Sequence, residues 1–396
     1  MLNITLQSRL SITPIDIRRD KKHYIVEDIT SGEFFEMPEV CIEAIKLIEE
    51  GEKLGEIEET LKLNFPDEEV DLLDFSQQLL ELELIEEIDG VKVKKMVKEK
   101  ENLGFQWISS KIGKFFFNKI SLLIYVSLFL VNLILLITKP SLIPSYEDVF
   151  ISDVMVINMI AYLGVTFSLV LVHEFGHILA MRAYDLPTKL GIGHRLLLVV
   201  LETDMASVWR LPGKDRNVLY LAGLCFDTVI LFAALMSKLI FPNASGIFLS
   251  LISLVVYDVF IRVIYQCCVY MKTDLYYVIE NVTGYYNLME NAKQKIRNRI
   301  PFLKSASHKD EVFVGEKYVV YGYSIFYVLG VSITLLLISI YYIPVLLYAL
   351  ELALPNLIEP ATSFVFWDAV LFLSQFLVIC ILLLNSWRKK YLKNNM

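Results

Sequence analysis

From residue 120 onward the chain is dominated by apolar runs, at residues 120–138, 154–180, 218–240, 247–271, 319–350 and 364–387. Each is long enough to cross or nearly cross a bilayer as a helix, which takes about 20 residues. Residues 1–90 follow a different rhythm. His23-Tyr24-Ile25-Val26-Glu27-Asp28 and Glu33-Phe34-Phe35-Glu36-Met37 flank Ile29-Thr30-Ser31-Gly32, a strand–turn–strand pattern. Pro38 then suits the first turn of a helix with apolar positions at Val40, Ile42, Ile45 and Ile48, ended by Gly51. A second helix over residues 54–63 precedes the breaker Asn64-Phe65-Pro66, and a third is expected from Asp67, as N-cap, to residue 82. Residues 84–88 close the segment as a strand. The pattern predicts an α-helical polytopic membrane protein with about six transmembrane helices and a small N-terminal α+β, winged-helix-like domain.

Composition agrees: 55% of the residues are hydrophobic, too many for a soluble globule of this size. The net charge of −8 is unevenly distributed. Residues 1–104 carry 26 acidic and 13 basic side chains, whereas residues 105–396 carry 19 and 24. The acidic head repels phosphate and shows no basic recognition helix, which argues against a nucleic-acid partner despite the winged-helix pattern. The stretch 91–118 is a lysine-rich linker, and 182–216, 291–317 and 388–393 are also rich in Lys and Arg. The alternate loops, 140–153, 241–246 and 351–363, carry none. The positive-inside rule then predicts a multi-pass protein of the cytoplasmic membrane with both termini in the cytoplasm, in contact with membrane lipids. Met1 to Asp20 has no apolar core of a signal peptide. The five cysteines form no CxxC pair or disulfide framework.

The chemistry gathers at His173-Glu174-Phe175-Gly176-His177, an HExxH motif following nineteen uncharged residues, 154–172. On a helix His173 and His177 stand one turn apart on one face, so both imidazoles can hold one metal ion. Glu174 points elsewhere and suits a general base to water, whose pKa zinc lowers to roughly 7. The charge-derived topology adds a third candidate. The second and fourth runs cross in the same direction, and the fourth ends at Tyr270-Met271-Lys272-Thr273-Asp274-Leu275-Tyr276-Tyr277. Asp274 thus lies at the depth of the two histidines, where it could complete the three-ligand set usual for catalytic zinc. Asp227 is unpaired in the sequence among apolar residues and is a further candidate, for orienting substrate or water at the site. Asp258 and Arg262, four apart with the acid first, read as a self-neutralising pair. The segment 186–217 is too polar to span and suggests a short hairpin or re-entrant loop.

On these motifs, residues 119–290 resemble the site-2 protease family of intramembrane zinc metallopeptidases. The resemblance rests on the HExxH, on Ala222-Gly223, and on Lys272-Thr273-Asp274-Leu275. Asp204 and Val208-Trp209-Arg210-Leu211-Pro212 look like the segment before the third span in family members fused to peptide-recognition domains. The resemblance implies His173, His177 and Asp274 as Zn2+ ligands and Glu174 as general base, with Gly223, Asp227 and Asp204 nearby. The usual proline and asparagine after Ala-Gly are here Leu224 and Asp227, and the usual Leu-Asp-Gly is Thr273-Asp274-Leu275. Residues 1–90 resemble PqqD-like domains, the RiPP recognition elements, in which a leader peptide adds as a strand to the hairpin edge. That implies peptide contacts at Tyr24, Ile25, Val26, Phe34 and Phe35. Together the resemblances imply an enzyme, a metalloendopeptidase that cleaves a ribosomally made precursor peptide during maturation or export, alongside a transporter or modifying enzyme of the same pathway. Regulated cleavage of a signalling or anti-sigma membrane protein is one alternative, and a non-enzymatic export or immunity subunit another. The expected parts are then 1–90 for recognition, 91–118 as linker, 119–290 as peptidase core and 291–396 as a two-helix extension.

Overall fold

The computed structural model describes residues 4–21, 23–93, 104–195, 198–299 and 317–393, and the chain divides into two compact units. The first comprises residues 1–103 with 205–214, and the second 104–204 with 215–396. The linker lysines Lys94, Lys95, Lys98 and Lys100 lie outside the described residues.

In the first unit the strands are β1 (Leu10–Ile12), β2 (Ile15–Asp20), β3 (His23–Asp28), β4 (Phe34–Met37), β5 (Ile85–Ile88) and β6 (Val91–Lys92). The helices are α1 (Glu39–Glu49), α2 (Leu54–Asn64) and α3 (Leu72–Glu81). The expected hairpin is β3–β4, in the register Tyr24↔Met37 to Glu27↔Phe34. Two things differ from expectation. The third helix starts at Leu72, because Asp71 is the N-cap, accepting from the N–H groups of Leu73 and Asp74 at 3.0 Å each; Asp67 lies in the preceding turn. There are also two three-stranded sheets, β1–β5–β6 and β2–β3–β4. β2 opens with the alternation Ile15-Asp16-Ile17-Arg18, which packs Ile15 and Ile17 on the core, but it is short and ends in the charged Arg19-Asp20. The core joins Val26, Met37, Ile42, Ile45, Ile48, Ile57, Leu79 and Ile85, and each such side chain contributes about 1.5–3 kcal/mol on burial. The segment 205–214 belongs to this unit. Its Arg210 donates to Glu27 Oε1 at 3.0 Å and lies over the Phe34 ring, while Arg18 donates to the Arg210 carbonyl.

The second unit contains α4 (Ser110–Phe116), α5 (Lys119–Thr138), α6 (Met155–Ala183), the hairpin β7 (Leu190–Arg195) and β8 (Leu198–Thr203), α7 (Gly213–Tyr220) from Asp215 onward, α8 (Ala222–Ile240) and α9 (Gly246–Tyr265). α10 (Asp274–Thr283), α11 (Leu288–Arg299), α12 (Lys317–Leu337), α13 (Ile343–Ala353) and α14 (Phe364–Lys393) follow. Among the described residues five helical stretches are long and apolar enough to cross a membrane: α5, α6, α8, α9 and Tyr318–Ile358. This fits a polytopic helical membrane protein. The last expected span falls on α14, which runs from Phe364 to Lys393. Leu123, Ile134 and Ile137 on α5 are exposed large apolar side chains, as lipid-facing ones are.

α6, α8 and α9 pack through Leu169, Leu231, Leu235, Val256 and Val259. α6 and α8 cross closely at Gly176, where a Cβ would stand 2.8 Å from the Ala222 carbonyl oxygen. At the other end of α6, the buried Asp368 of α14 accepts from the N–H groups of Met155 and Val156 at 2.8 and 2.9 Å. That satisfies two of the orphan donors every helix start leaves, with a charge of the favourable sign. The expected fourth span is shorter than its apolar run. α9 stops at Tyr265, a 3-10 turn covers Val269–Met271, Lys272 takes a left-handed conformation (φ 54°), and α10 begins at Asp274.

Candidate metal centre

α6 carries His173 and His177 on one face, and α10 presents Asp274 from its first turn. All three are buried, and among the described residues they form the one group of three or more His, Cys, Asp or Glu donors that could hold a metal ion. His173 Nε2 stands 3.3 Å from His177 Nε2 and 3.2 Å from Asp274 Oδ2, and His177 Nε2 lies 3.5 Å from Asp274 Oδ2. Ligands about 2.0–2.1 Å from a tetrahedral zinc ion stand about 3.3 Å from one another. The triangle therefore has the dimensions of one face of a zinc tetrahedron.

The outer contacts of these side chains fix which atoms point inward. His173 Nδ1 pairs with Asp227 Oδ2 at 2.7 Å, and His177 Nδ1 with the Leu219 carbonyl oxygen at 2.9 Å. With both Nδ1–H groups donating to an acceptor, both Nε2 lone pairs face the centre, the arrangement metal-ligating histidines take. Asp274 is clamped twice by Gln266. Its N–H donates to Gln266 Oε1, and its Oδ2 accepts from Gln266 Nε2, each at 3.0 Å. A carboxylate ligand is anionic, so Asp274 would supply the one negative charge of the donor set. Glu280, further along α10, is pushed up to about 7 by burial; it accepts from the Tyr276 hydroxyl and the Leu288 N–H, which fixes α10 against the start of α11.

Glu174 is also buried but takes no part in the triangle. Its Oε2 accepts from Thr203 N–H and Thr203 Oγ1, both at 2.8 Å, so the last residue of β8 directs the carboxylate. A hairpin therefore does form in the segment 186–217, and it lies against the motif helix. Gly223, at the start of α8, sits beneath the His173 ring, where any Cβ would fall within 3.0 Å of Nε2, Cε1 and Cδ2.

The other sequence-derived candidates fall elsewhere or take another role. Asp227 reaches His173 from its outer side, so it orients a ligand; as a fully buried carboxylate behind the ring it is not placed to meet substrate or water. Among the described residues Asp204 is not one of the clustered metal donors. Its N–H donates to the Lys189 carbonyl and its own carbonyl accepts from Thr188 Oγ1, closing the base of the hairpin. Asp258 and Arg262 do pair, but the network extends to Asp227, 3.5 Å from Arg262 Nη1. In the first unit Ile25 and Val26 are buried on β3, the middle strand, whose backbone edges are taken by β2 and β4. Tyr24, Ile25 and Val26 therefore cannot receive an added strand, whereas Phe34 and Phe35 lie on β4, an outer strand of that sheet.

The sequence alone does not single out Thr203, Gln266 or the Leu219 carbonyl as partners of the site. A glutamine at the end of an apolar run was the one available signal; a backbone carbonyl leaves none. No protein family, curated protein or solved structure matches this chain.

Proposed function

We propose that the chain is an intramembrane zinc metalloendopeptidase, similar to the site-2 proteases, that cleaves a ribosomally made precursor peptide. The observation that carries this reading is the buried His173–His177–Asp274 triangle of zinc-site dimensions, with Glu174 one residue along the same helix. The donors fit the ion: two imidazoles and a carboxylate leave a fourth tetrahedral position, as catalytic sites do.

When bound, zinc supplies a Lewis acid that ionises water near neutral pH and steadies the developing oxyanion. The chain's own residues do the rest. Thr203 fixes the Glu174 carboxylate through Oε2, so proton transfer falls to Oε1. Glu174 takes the proton released by the attacking water and passes it to the leaving amine. Asp227 and Leu219 hold the imidazoles in register, and Gln266 holds Asp274. Burial among the helices keeps bulk water from the reacting carbonyl.

The N-terminal unit, PqqD-like in this reading, supplies recognition. A leader segment would add as a strand along β4 beside Phe34 and Phe35, with main-chain hydrogen bonds giving affinity. In this reading the loop charges put both termini on the cytoplasmic side of the cytoplasmic membrane, with α14 as a sixth span, so that leader and recognition unit share a compartment. Glu174→Gln in the full chain, reconstituted in vesicles, tests the proposal against a panel of short leader-bearing precursor peptides. Cleavage should fall by about 10²–10⁴-fold, the usual worth of a general base, while metal content stays at the wild-type level. Equal cleavage by wild type and variant, or none by either, would remove the peptidase reading.

A further inference from the structure

A chain of buried and partly buried polar groups runs from the candidate centre across three spans. His173 Nδ1 on α6 meets Asp227 Oδ2 on α8 at 2.7 Å, and Asp227 Oδ1 faces Arg262 Nη1 on α9 at 3.5 Å. Arg262 Nη2 also pairs closely with Asp258, one turn earlier on α9. Asp258 Oδ1 in turn accepts from Thr166 Oγ1 at 2.6 Å, back on α6 and two turns before His173. The path closes on the helix where it began. All of it lies within stretches apolar enough to cross a membrane, where charged groups are costly and mark function.

Mutual neutralisation explains Asp258 and Arg262 but not why the guanidinium also faces Asp227. Asp227 is fully buried, and Arg262 on its far side fixes which way the carboxylate faces. A carboxylate that turned away would weaken its hold on the His173 Nδ1–H, and a ligand's outer partner sets both its tautomer and its ring orientation. Arg262 is the cation that the structure brings to Asp227, and Asp258 with Thr166 holds that cation in place.

We propose that Arg262, anchored by Asp258 and Thr166, is a positioning residue for the metal centre that keeps Asp227 as the acceptor aligning His173. The inference rests on the reading of His173 as a ligand. It predicts that replacing Arg262 weakens metal binding although Arg262 touches neither the centre nor the substrate.

The test is Co2+ affinity of the purified full chain in detergent, by chelator competition, together with the cobalt ligand-field spectrum. Arg262→Met and Asp227→Asn should each weaken Co2+ by about 10–100-fold, the range for losing an outer partner, and shift the spectrum. Because Arg262→Met alone leaves Asp258 unpaired, Arg262→Met/Asp258→Asn is made as well and carries the same expectation. Adding Asp227→Asn to that pair should weaken binding by less than about threefold more, since residues acting through one path are not additive. Arg262→Lys should recover most of the affinity. An Arg262→Met/Asp258→Asn protein that binds Co2+ as wild type does, or whose loss multiplies with that of Asp227→Asn, would overturn the proposal. A wild-type chain that binds no Co2+ would overturn the ligand reading itself, and cleavage failing while Co2+ binding follows this pattern would remove only the peptidase.

Discussion

Gly223→Ala should strip the centre of its metal. An alanine Cβ at this position falls within 3.0 Å of three atoms of the His173 ring, closer than real side chains approach. The ring cannot simply turn aside, because its Nδ1 is held by Asp227 on the same helix as Gly223. Metal affinity should fall by at least the roughly 10–100-fold that a mispositioned ligand costs. Gly164→Ala on α6 is the matched control, since its added Cβ meets nothing within 4 Å, and its affinity should not change. Chelator competition on both proteins decides the matter; equal affinity in the two would mean that His173 is not held as a ligand here.

Asp274→Ala should have an effect of comparable size for a different reason. Two imidazoles remain, but the anionic donor that completes the triangle is gone, and Gln266 Nε2 loses its acceptor. Zinc affinity should drop by more than about 100-fold, beyond the range for outer partners. Asp274→Asn should be nearly as weak, because it keeps the shape but not the charge. Equilibrium dialysis against buffered zinc measures both, and tight zinc binding in either variant would show that the third ligand lies elsewhere.

Which parts of this could be read from the sequence follows from the range of the interactions. The HExxH spacing is local, so His173 and His177 could be paired by helix geometry alone. Asp274 is about a hundred residues away, yet it could be placed because loop charges set the direction of each span and thereby its depth. The break between α9 and α10 could not be foreseen: residues 266–273 contain neither Gly nor Pro, and the turn depends on Lys272 in a left-handed conformation and on Gln266 bonding to Asp274. Asp227 stood out in an apolar run, but its partner is 54 residues earlier on another helix, and periodicity carries no information about such pairs. The same holds for Asp368, which caps α6 from the far end of the chain. In the N-terminal unit the hairpin was legible and β2 was not, so the strand taken as an edge is in fact the middle of a sheet.

The account stands or falls on a divalent ion between His173, His177 and Asp274. X-ray absorption at the zinc edge of the purified full chain examines that ion's surroundings directly. One zinc per chain is expected, with two imidazoles and oxygen donors at about 2.0–2.1 Å, and the imidazole signal should vanish in His173→Ala/His177→Ala. Zinc well below one per chain after loading, or a coordination shell unchanged by that double replacement, would contradict it.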